Sequence, residues 1–401
     1  MRRAKQYPRF YGSSLPVKFS SVLLSLGMTI SRAVAADEAP TTDKQPAATQ
    51  GEKSAPVAAL SPELQAQRQK MVAQAIEYLR TKGQAPDGSF TKQVGTGITS
   101  LCLLAMMENG VSPDDPTVAK GLKYLEGAMQ KDGSVGKDGS RIINYETALA
   151  ILCLQKANQD GKYKQNIKQA DLFLRGNQID ADEGKTEADF DFGGVGYGKG
   201  GKGDLSNTAF LVEALIAAGA GPDDPAVQNA LKFVSRCQNL ESEHNTTPLA
   251  GKVNDGGFYY TIITDEPPQD KSFQGGLRSY GSMTYAGFKS MLYAGLTPDD
   301  KRVKAALDFL AKNYTLEQNP GLGEAGLFYY YHLMSRALQA AKMDTFTDAK
   351  GVEHNWRAEF IAELAKRQNE DGSWANKNRQ WLENDPNLVT GYALLVLGNC
   401  K

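Results

Sequence analysis

Three carboxylates stand where proton chemistry would be done. Glu146, Asp204 and Asp385 each precede or open an apolar helical stretch. Two such groups facing one another across a cavity could act as acid and base, as in the carbohydrate-active barrels. The plainer reading, helix caps and rim salt bridges, is the stronger one. Gly193-Gly194-Val195-Gly196-Tyr197-Gly198-Lys199-Gly200 approaches a phosphate-binding loop. It lacks the Ser or Thr that would hold magnesium and no apolar strand precedes it, so it reads as a flexible insert between helices. Lys199 and Lys202 lie just ahead of a helix start, where anions are favoured. His332 stands alone in a Tyr-rich helix, and one imidazole does not make a zinc site. Cys102, Cys153, Cys237 and Cys400 have no metal-ligand spacing and read as buried free thiols, with a Cys102–Cys153 bridge as the alternative. No cofactor and no metal is called for.

These groups are positioned by a repeat. Gln368-Asn369-Glu370-Asp371-Gly372-Ser373-Trp374 is its clearest turn. Gln84 to Phe90 and Gln130 to Ser134 are further copies, and Gln238 joins Asp255-Gly256-Gly257-Phe258 across a long insert. Each turn separates two kinds of helix. Met71–Arg80, Val118–Met129, Ile167–Arg175, Val227–Cys237, Val303–Lys312 and Arg357–Arg367 are amphipathic. Ile98–Met107, Tyr145–Leu154, Thr208–Ala218, Thr284–Tyr293, Tyr330–Ala340 and Val389–Leu397 are apolar nearly all round. Repetition at this period means an array of stacked units. The expected fold is all-α, six inner helices ringed by six outer ones in a closed (α/α)6 barrel. The links Gly110 to Pro116, Gly221 to Pro225 and Gly295 to Asp300 carry paired aspartates. They read as helix caps, with Asp115 and Asp224 ahead of a first-turn proline, rather than as calcium ligands. Thr99, Thr147, Thr208, Thr284 and Thr390 share one place in the inner helices, with His332 there in the fifth.

Lys and Arg number 45 against 46 Asp and Glu, and no basic stripe stands out, which argues against nucleic acid as a partner. Residues 1–36 carry a basic front, a short apolar run from Phe19 to Ile30 and Ala33-Val34-Ala35. They read as a secretory signal peptide, too short in its apolar part to span a bilayer. The expectation is an exported protein, periplasmic or extracellular, with no transmembrane helix in the mature chain. Residues 37–62 read as a solvated linker and 63–401 as one toroid domain. Protein partners are not legible.

The turn at Gln368 to Trp374 and the helix alternation resemble the squalene–hopene cyclase and protein prenyltransferase superfamily, over about residues 68 to 400. The resemblance implies an α/α toroid with a central cavity. Triterpene cyclases carry Asp-x-Asp-Asp-Thr-Ala, whose central Asp protonates the polyene. The matching stretch is Asp204-Leu205-Ser206-Asn207-Thr208-Ala209, so Ser206 replaces the acid and Asn207 its neighbour. Protein prenyltransferases hold zinc through Asp-x-Cys and a His. The corresponding residues are Tyr280 and Ser282, then about Tyr330. Gly321-Leu322-Gly323-Glu324-Ala325 echoes the thioester of complement-like toroids with Leu322 for its cysteine. By the family's register the lumen is lined by Gly97, Tyr145, Ser206, Ser282, Tyr330 and Leu388, flanked by Arg141, Glu146, Asp204, Arg278, Tyr280, Tyr329 and Asp385. The resemblance therefore implies a neutral, aromatic cavity suited to an apolar or isoprenoid ligand. Arg141, Tyr145, Ser206, Asn207, Arg278, Tyr280, Ser282, Tyr285, Tyr330 and His332 are its candidate lining or mouth residues. The leading expectation is binding without the family's usual catalysis. The alternatives are a divergent cyclase whose acid has moved to Asp204, Asp385 or Glu146, a carbohydrate-active α/α barrel using the same carboxylates, and a scaffold whose cavity is filled by its own side chains.

Overall fold

The computed structural model describes residues 60–262 and 276–401. The leader, and the linker up to residue 59, lie outside the described residues. In chain order the α-helices are α1 Pro62–Tyr78, α2 Gly97–Glu108, α3 Pro116–Gly127, α4 Ile143–Ala157, α5 Lys164–Arg175, α6 Leu205–Ala217, α7 Pro225–Arg236, the short α8 Ala250–Val253, α9 Gly281–Tyr293, α10 Lys301–Lys312, α11 Leu327–Ala340, α12 Trp356–Arg367 and α13 Pro386–Asn399. A two-residue hairpin pairs Phe346–Thr347 antiparallel to Glu353–His354. No helix among the described residues is long and apolar enough to cross a membrane.

The inner helices are α2, α4, α6, α9, α11 and α13. Each packs on the next, and α13 returns to pack on α2, so the ring closes. Their composition requires this, because almost every side chain of α2, α6 and α13 is buried. A helix that is apolar all round needs neighbours on every side. The outer helices α1, α3, α5, α7, α10 and α12 bury one stripe each. On α10 that stripe is Val303, Ala306, Phe309 and Leu310. The paired aspartates are caps. Asp115, Asp224 and Asp300 accept from Thr117, Ala226 and Arg302 amides at 3.0, 2.9 and 2.8 Å, each worth about 1 kcal/mol.

Two fasteners recur around the ring. In the turns of Gln84, Gln238 and Gln368 the glutamine donates once to a glycine carbonyl of its own turn and once to a carbonyl of a neighbouring outer helix, whereas Gln130 donates only within its own repeat, to Ala128 O and Gly136 O. Gln84 reaches Thr117 O, Gln238 reaches Arg302 O, and Gln368 reaches Met71 O in α1, which ties the last repeat to the first. The inner-helix threonine is the second fastener. Thr99, Thr147, Thr208, Thr284 and Thr390 accept from the amides of Phe90, Val135, Val195, Phe258 and Trp374 at 2.9–3.1 Å. Thr147, Thr208 and Thr284 also bond back to the preceding turn, so the hydroxyl is fully used.

The glycine-rich segment is not a flexible insert. It is a further copy of the turn, with Gln178 donating to Gly193 O and Ala226 O, both at 2.9 Å. Gly193 has φ +86, and a Cβ there would sit 1.8 Å from Asn229 O. The first half of the loop, Phe192–Gly196, is buried, while Tyr197, Lys199, Gly200 and Lys202 are exposed. The four cysteines are free and buried.

Opposite the cavity described below, the inner helices end on a buried ionic cluster. Lys289 pairs with Glu213. Arg336 reaches Glu108 at 2.9 Å and Glu213 at 3.4 Å. Burial pushes the Glu213 carboxyl up, but Lys289 and Arg336 together hold it down at about 2. Four helices thus share one charge-balanced plug, which sequence reasoning missed because its members are far apart in the chain.

Candidate functional site: an aromatic lumen

The first turns of the inner helices enclose a cavity of about 570 Å³, within the range of small-molecule sites. Gly97, Tyr145, Ser206, Ser282 and Leu388 line it, at the register that the family resemblance implies. In α11 the lining residue is Tyr329, one position before the expected Tyr330. The Tyr330 ring turns into the wall, its hydroxyl donating to Thr315 O at 2.9 Å and its ring lying 5.8 Å from that of Tyr285. No inner-helix threonine fastens this repeat. α11 starts instead from left-handed Gly326, so its register is free to differ by one residue. Tyr285, expected at the lumen, is likewise buried in the wall, with its hydroxyl unpartnered.

Tyr145 meets Phe210 edge-on at 5.2 Å, and Phe210 stacks on Tyr329 at 6.4 Å. Tyr329 leans on Tyr392 at 5.9 Å. The Ser206 and Tyr329 hydroxyls lie 2.7 Å apart. Burial pushes the Tyr145 phenol up to about 12 and that of Tyr329 well above its usual range. These rings are therefore neutral and present polarizable faces. Tyr280 and the exposed Arg278 complete the wall near α9.

The remaining candidates lie elsewhere. Arg141 is exposed and lines a separate mouth cleft of about 1410 Å³, which shares Tyr197 and Tyr260 with the lumen. Asn207 is buried and holds Asp204, its amide and Nδ2 each donating to the carboxyl at 2.8 Å. His332 is buried against Tyr392 at 5.5 Å. Burial, with Arg336 nearby, depresses its pKa to about 3, so the imidazole is neutral.

The three carboxylates of the sequence reading are not brought together in the lumen. Glu146 is fully buried and serves as a brace. It accepts from the Thr96 amide at 2.7 Å and the Ser140 hydroxyl at 2.5 Å, with its pKa raised by burial. Asp204 caps α6 and faces the mouth cleft, with burial pushing its pKa up to about 6. Asp385 caps α13 and accepts from Thr91 Oγ1 at 3.2 Å. Neither Glu146 nor Asp385 lines the lumen or the mouth cleft.

The carboxyl that does line the lumen is Glu383, which sequence reasoning passed over. It is fully buried. Its Oε1 accepts from the Tyr329 amide at 2.8 Å and its Oε2 from Asn376 Nδ2 at 2.6 Å. Burial outweighs these donors and pushes its pKa up to about 7. The backbone places it. Trp381 and Leu382 both have positive φ, 52° and 63°, a conformation costly for such side chains. The reversed turn leaves these two side chains about half exposed at the lumen's edge and turns the next one inward. The apolar pair Trp381-Leu382 in an otherwise polar stretch was the available signal.

The zinc positions of the prenyltransferases do not fit that metal here. Tyr280 and Ser282 offer only hydroxyls, Ser282 is bonded to Asn319, and Tyr330 is turned away. Among the described residues no thiolate or imidazole lines the cavity.

Residues 91–263 match the family model of the squalene-hopene cyclase C-terminal domain. Two solved structures of the type II terpene cyclase MstE from Scytonema share the fold. One is a variant in complex with its substrate, geranylgeranyl dihydroxybenzoate: 10% identical, 85% of this chain against 99% of that one, TM-score 0.51. The other is the apo enzyme: 12% identical, 84% against 98%, TM-score 0.50. The chain has the α/α-toroid fold that these cyclases share, and its match to the family model spans residues 91–263. No curated protein matches it in sequence. At such identities the structural likeness speaks for the toroid's fold alone, and the chemistry rests on the residues above.

Proposed function

We propose that this toroid binds an apolar, isoprenoid-like small molecule in its lumen and does not carry out the proton-initiated cyclisation of its relatives. One observation carries the reading. The cavity is walled by neutral aromatic rings, while the place of the cyclase acid holds Ser206, hydrogen-bonded to Tyr329. A hydroxyl has no proton acidic enough to attack an alkene. Apolar burial at about 25 cal/mol per Å² then supplies the affinity. MstE, on the same fold, holds a geranylgeranyl compound, which supports a ligand of that type. The basic, acid-free front of the chain supports an exported protein, with binding outside the cytoplasm.

Glu383 favours one second reading, an enzyme whose acid lies on the turn before α13. A carboxyl near pKa 7 suits proton transfer to or from oxygen at neutral pH but is a poor donor to a double bond. Native mass spectrometry of protein purified from its source is the test. A co-purifying lipid of isoprenoid mass is expected. A bound sugar would overturn the reading in favour of a carbohydrate-active barrel, and turnover of a polyprenyl substrate would overturn the non-catalytic part.

A further inference from the structure

The mouth cleft is a second space that a purely apolar ligand would leave empty. At about 1410 Å³ it has more than twice the lumen's volume of about 570 Å³. The turn of Gln130, the link into α4 and the glycine-rich turn before α6 build it. Tyr197 and Tyr260 line both spaces, so an occupant of the lumen that extends past these two rings enters the cleft. The two spaces differ in kind. The lumen is walled by neutral aromatic rings, whereas polar side chains dominate the cleft. Lys131, Lys137 and Arg141 are exposed along it, and none of their side chains has a partner among the described residues. Asp138 is likewise exposed and unpaired, while Lys199 is tied to Asp132 at 2.8 Å.

We propose that this site takes an amphiphile whose apolar part fills the lumen and whose head, a sugar or other polyol, lies in the mouth cleft. Lys137 and Arg141 donate to the hydroxyls of that head, Asp138 accepts from them, and the exposed Tyr197 ring packs on its C–H face. The proposal rests on reading the lumen as a ligand site. It narrows the ligand class from isoprenoids at large to glycosylated or polyhydroxylated ones.

Size, charge and bonding favour such a head over a simple anion. A single carboxylate or phosphate would fill a small corner of the cleft, whereas sugar rings are of its scale. An anion at the end of the apolar chain would also meet like charge. Asp204 lines the cleft beside Tyr260, where the chain would leave the lumen, and Asp138 lies further out. Lys and Arg only donate and an ionised carboxylate only accepts. A hydroxyl does both, so a polyol can use every one of these groups, whereas a phosphate can use the cations alone. The negative face of an aromatic ring attracts C–H groups, which gives Tyr197 a part that an anion does not need.

The experiment compares three ligands that share one tail: geranylgeraniol, its β-glucoside and its monophosphate, each below its micelle concentration. Binding to the full protein is followed by Trp fluorescence. Trp356 and Trp374 are fully buried, so the change reports Trp381 at the edge of the lumen. The glucoside is expected to bind about tenfold more tightly than the alcohol, the net worth of one or two hydrogen bonds. That preference should be the same at about 50 mM and about 500 mM salt, since no ion pair carries it. Lys137→Ala combined with Arg141→Ala should bring the glucoside down to the affinity of the alcohol. Both side chains are exposed and unpartnered, so the fold does not depend on them. Equal affinity of the wild type for alcohol and glucoside, or a preference that survives the double variant, overturns the inference and leaves the lumen as an apolar site. A monophosphate that binds more tightly than the glucoside overturns it in favour of an anionic head. Binding of none of the three overturns the inference together with the reading on which it rests.

Discussion

The Glu383 carboxyl leaves a signature in stability that needs no ligand. Its ordinary value is 4.5 and burial raises it to about 7. Between those values the folded protein holds a proton that the unfolded chain has released. Stability is therefore greatest below about pH 4.5 and is lost as pH rises through about 7. At about 1.4 kcal/mol per pH unit, the span corresponds to about 3 kcal/mol. The carboxyl is wholly buried, so solvent does little to screen the effect. Other groups also titrate over this range, Asp204 in the same direction, so the wild-type profile alone does not isolate Glu383. The difference between wild type and Glu383→Gln does. Urea unfolding of both proteins from about pH 4 to about pH 8 should show the wild type losing about 3 kcal/mol relative to the variant. The variant should be uniformly weaker, because its amide nitrogen must face either the Tyr329 amide or Asn376. That offset does not vary with pH. A difference flat to within about 0.5 kcal/mol would mean that Glu383 is hydrated or already ionised at low pH, and the account of a neutral acid in the lumen would fail.

Trp374 is fully buried, with its indole nitrogen donating to Leu364 O at 2.9 Å. Trp374→Ala should cost about 3–5 kcal/mol in chemical denaturation, and a loss under about 1 kcal/mol would contradict its place between repeats. Lys289→Met leaves Glu213 buried with only Arg336 beside it and should cost about 3–5 kcal/mol. Glu213→Leu combined with Lys289→Met should recover part of that loss, and a double variant as unstable as the two losses added would show that the pair is not coupled. Ser206→Asp with Asn207→Asp rebuilds the cyclase sequence. It should still yield no cyclised product from squalene or geranylgeraniol by mass spectrometry, because a working acid also needs a lining built to stabilise carbocations. Formation of a polycyclic product by the double variant would count against that view.

The sequence by itself determined the architecture. Apolar helices alternating with amphipathic ones, joined by Gln…Asp-Gly turns and aspartate-capped links, allow few packings other than a ring, because an all-apolar helix must be enclosed. The register carried over from the resembling family matched the lining in five of the six inner helices, those in which a threonine fastens the preceding turn. The tertiary structure decided the rest, for two physical reasons. Where the fastener is missing, in α11, the register moved by one residue, and Tyr329 replaced Tyr330 on the cavity wall. Side-chain direction in irregular segments depends on backbone dihedrals that residue type does not announce. Two consecutive left-handed residues, Trp381 and Leu382, turned Glu383 into the lumen, while Glu146 and Asp385, the more conspicuous carboxylates, were taken up as brace and cap. The ionic plug of Glu108, Glu213, Lys289 and Arg336 is of the same kind. Its members come from four helices, and only closure of the ring brings them within reach of one another.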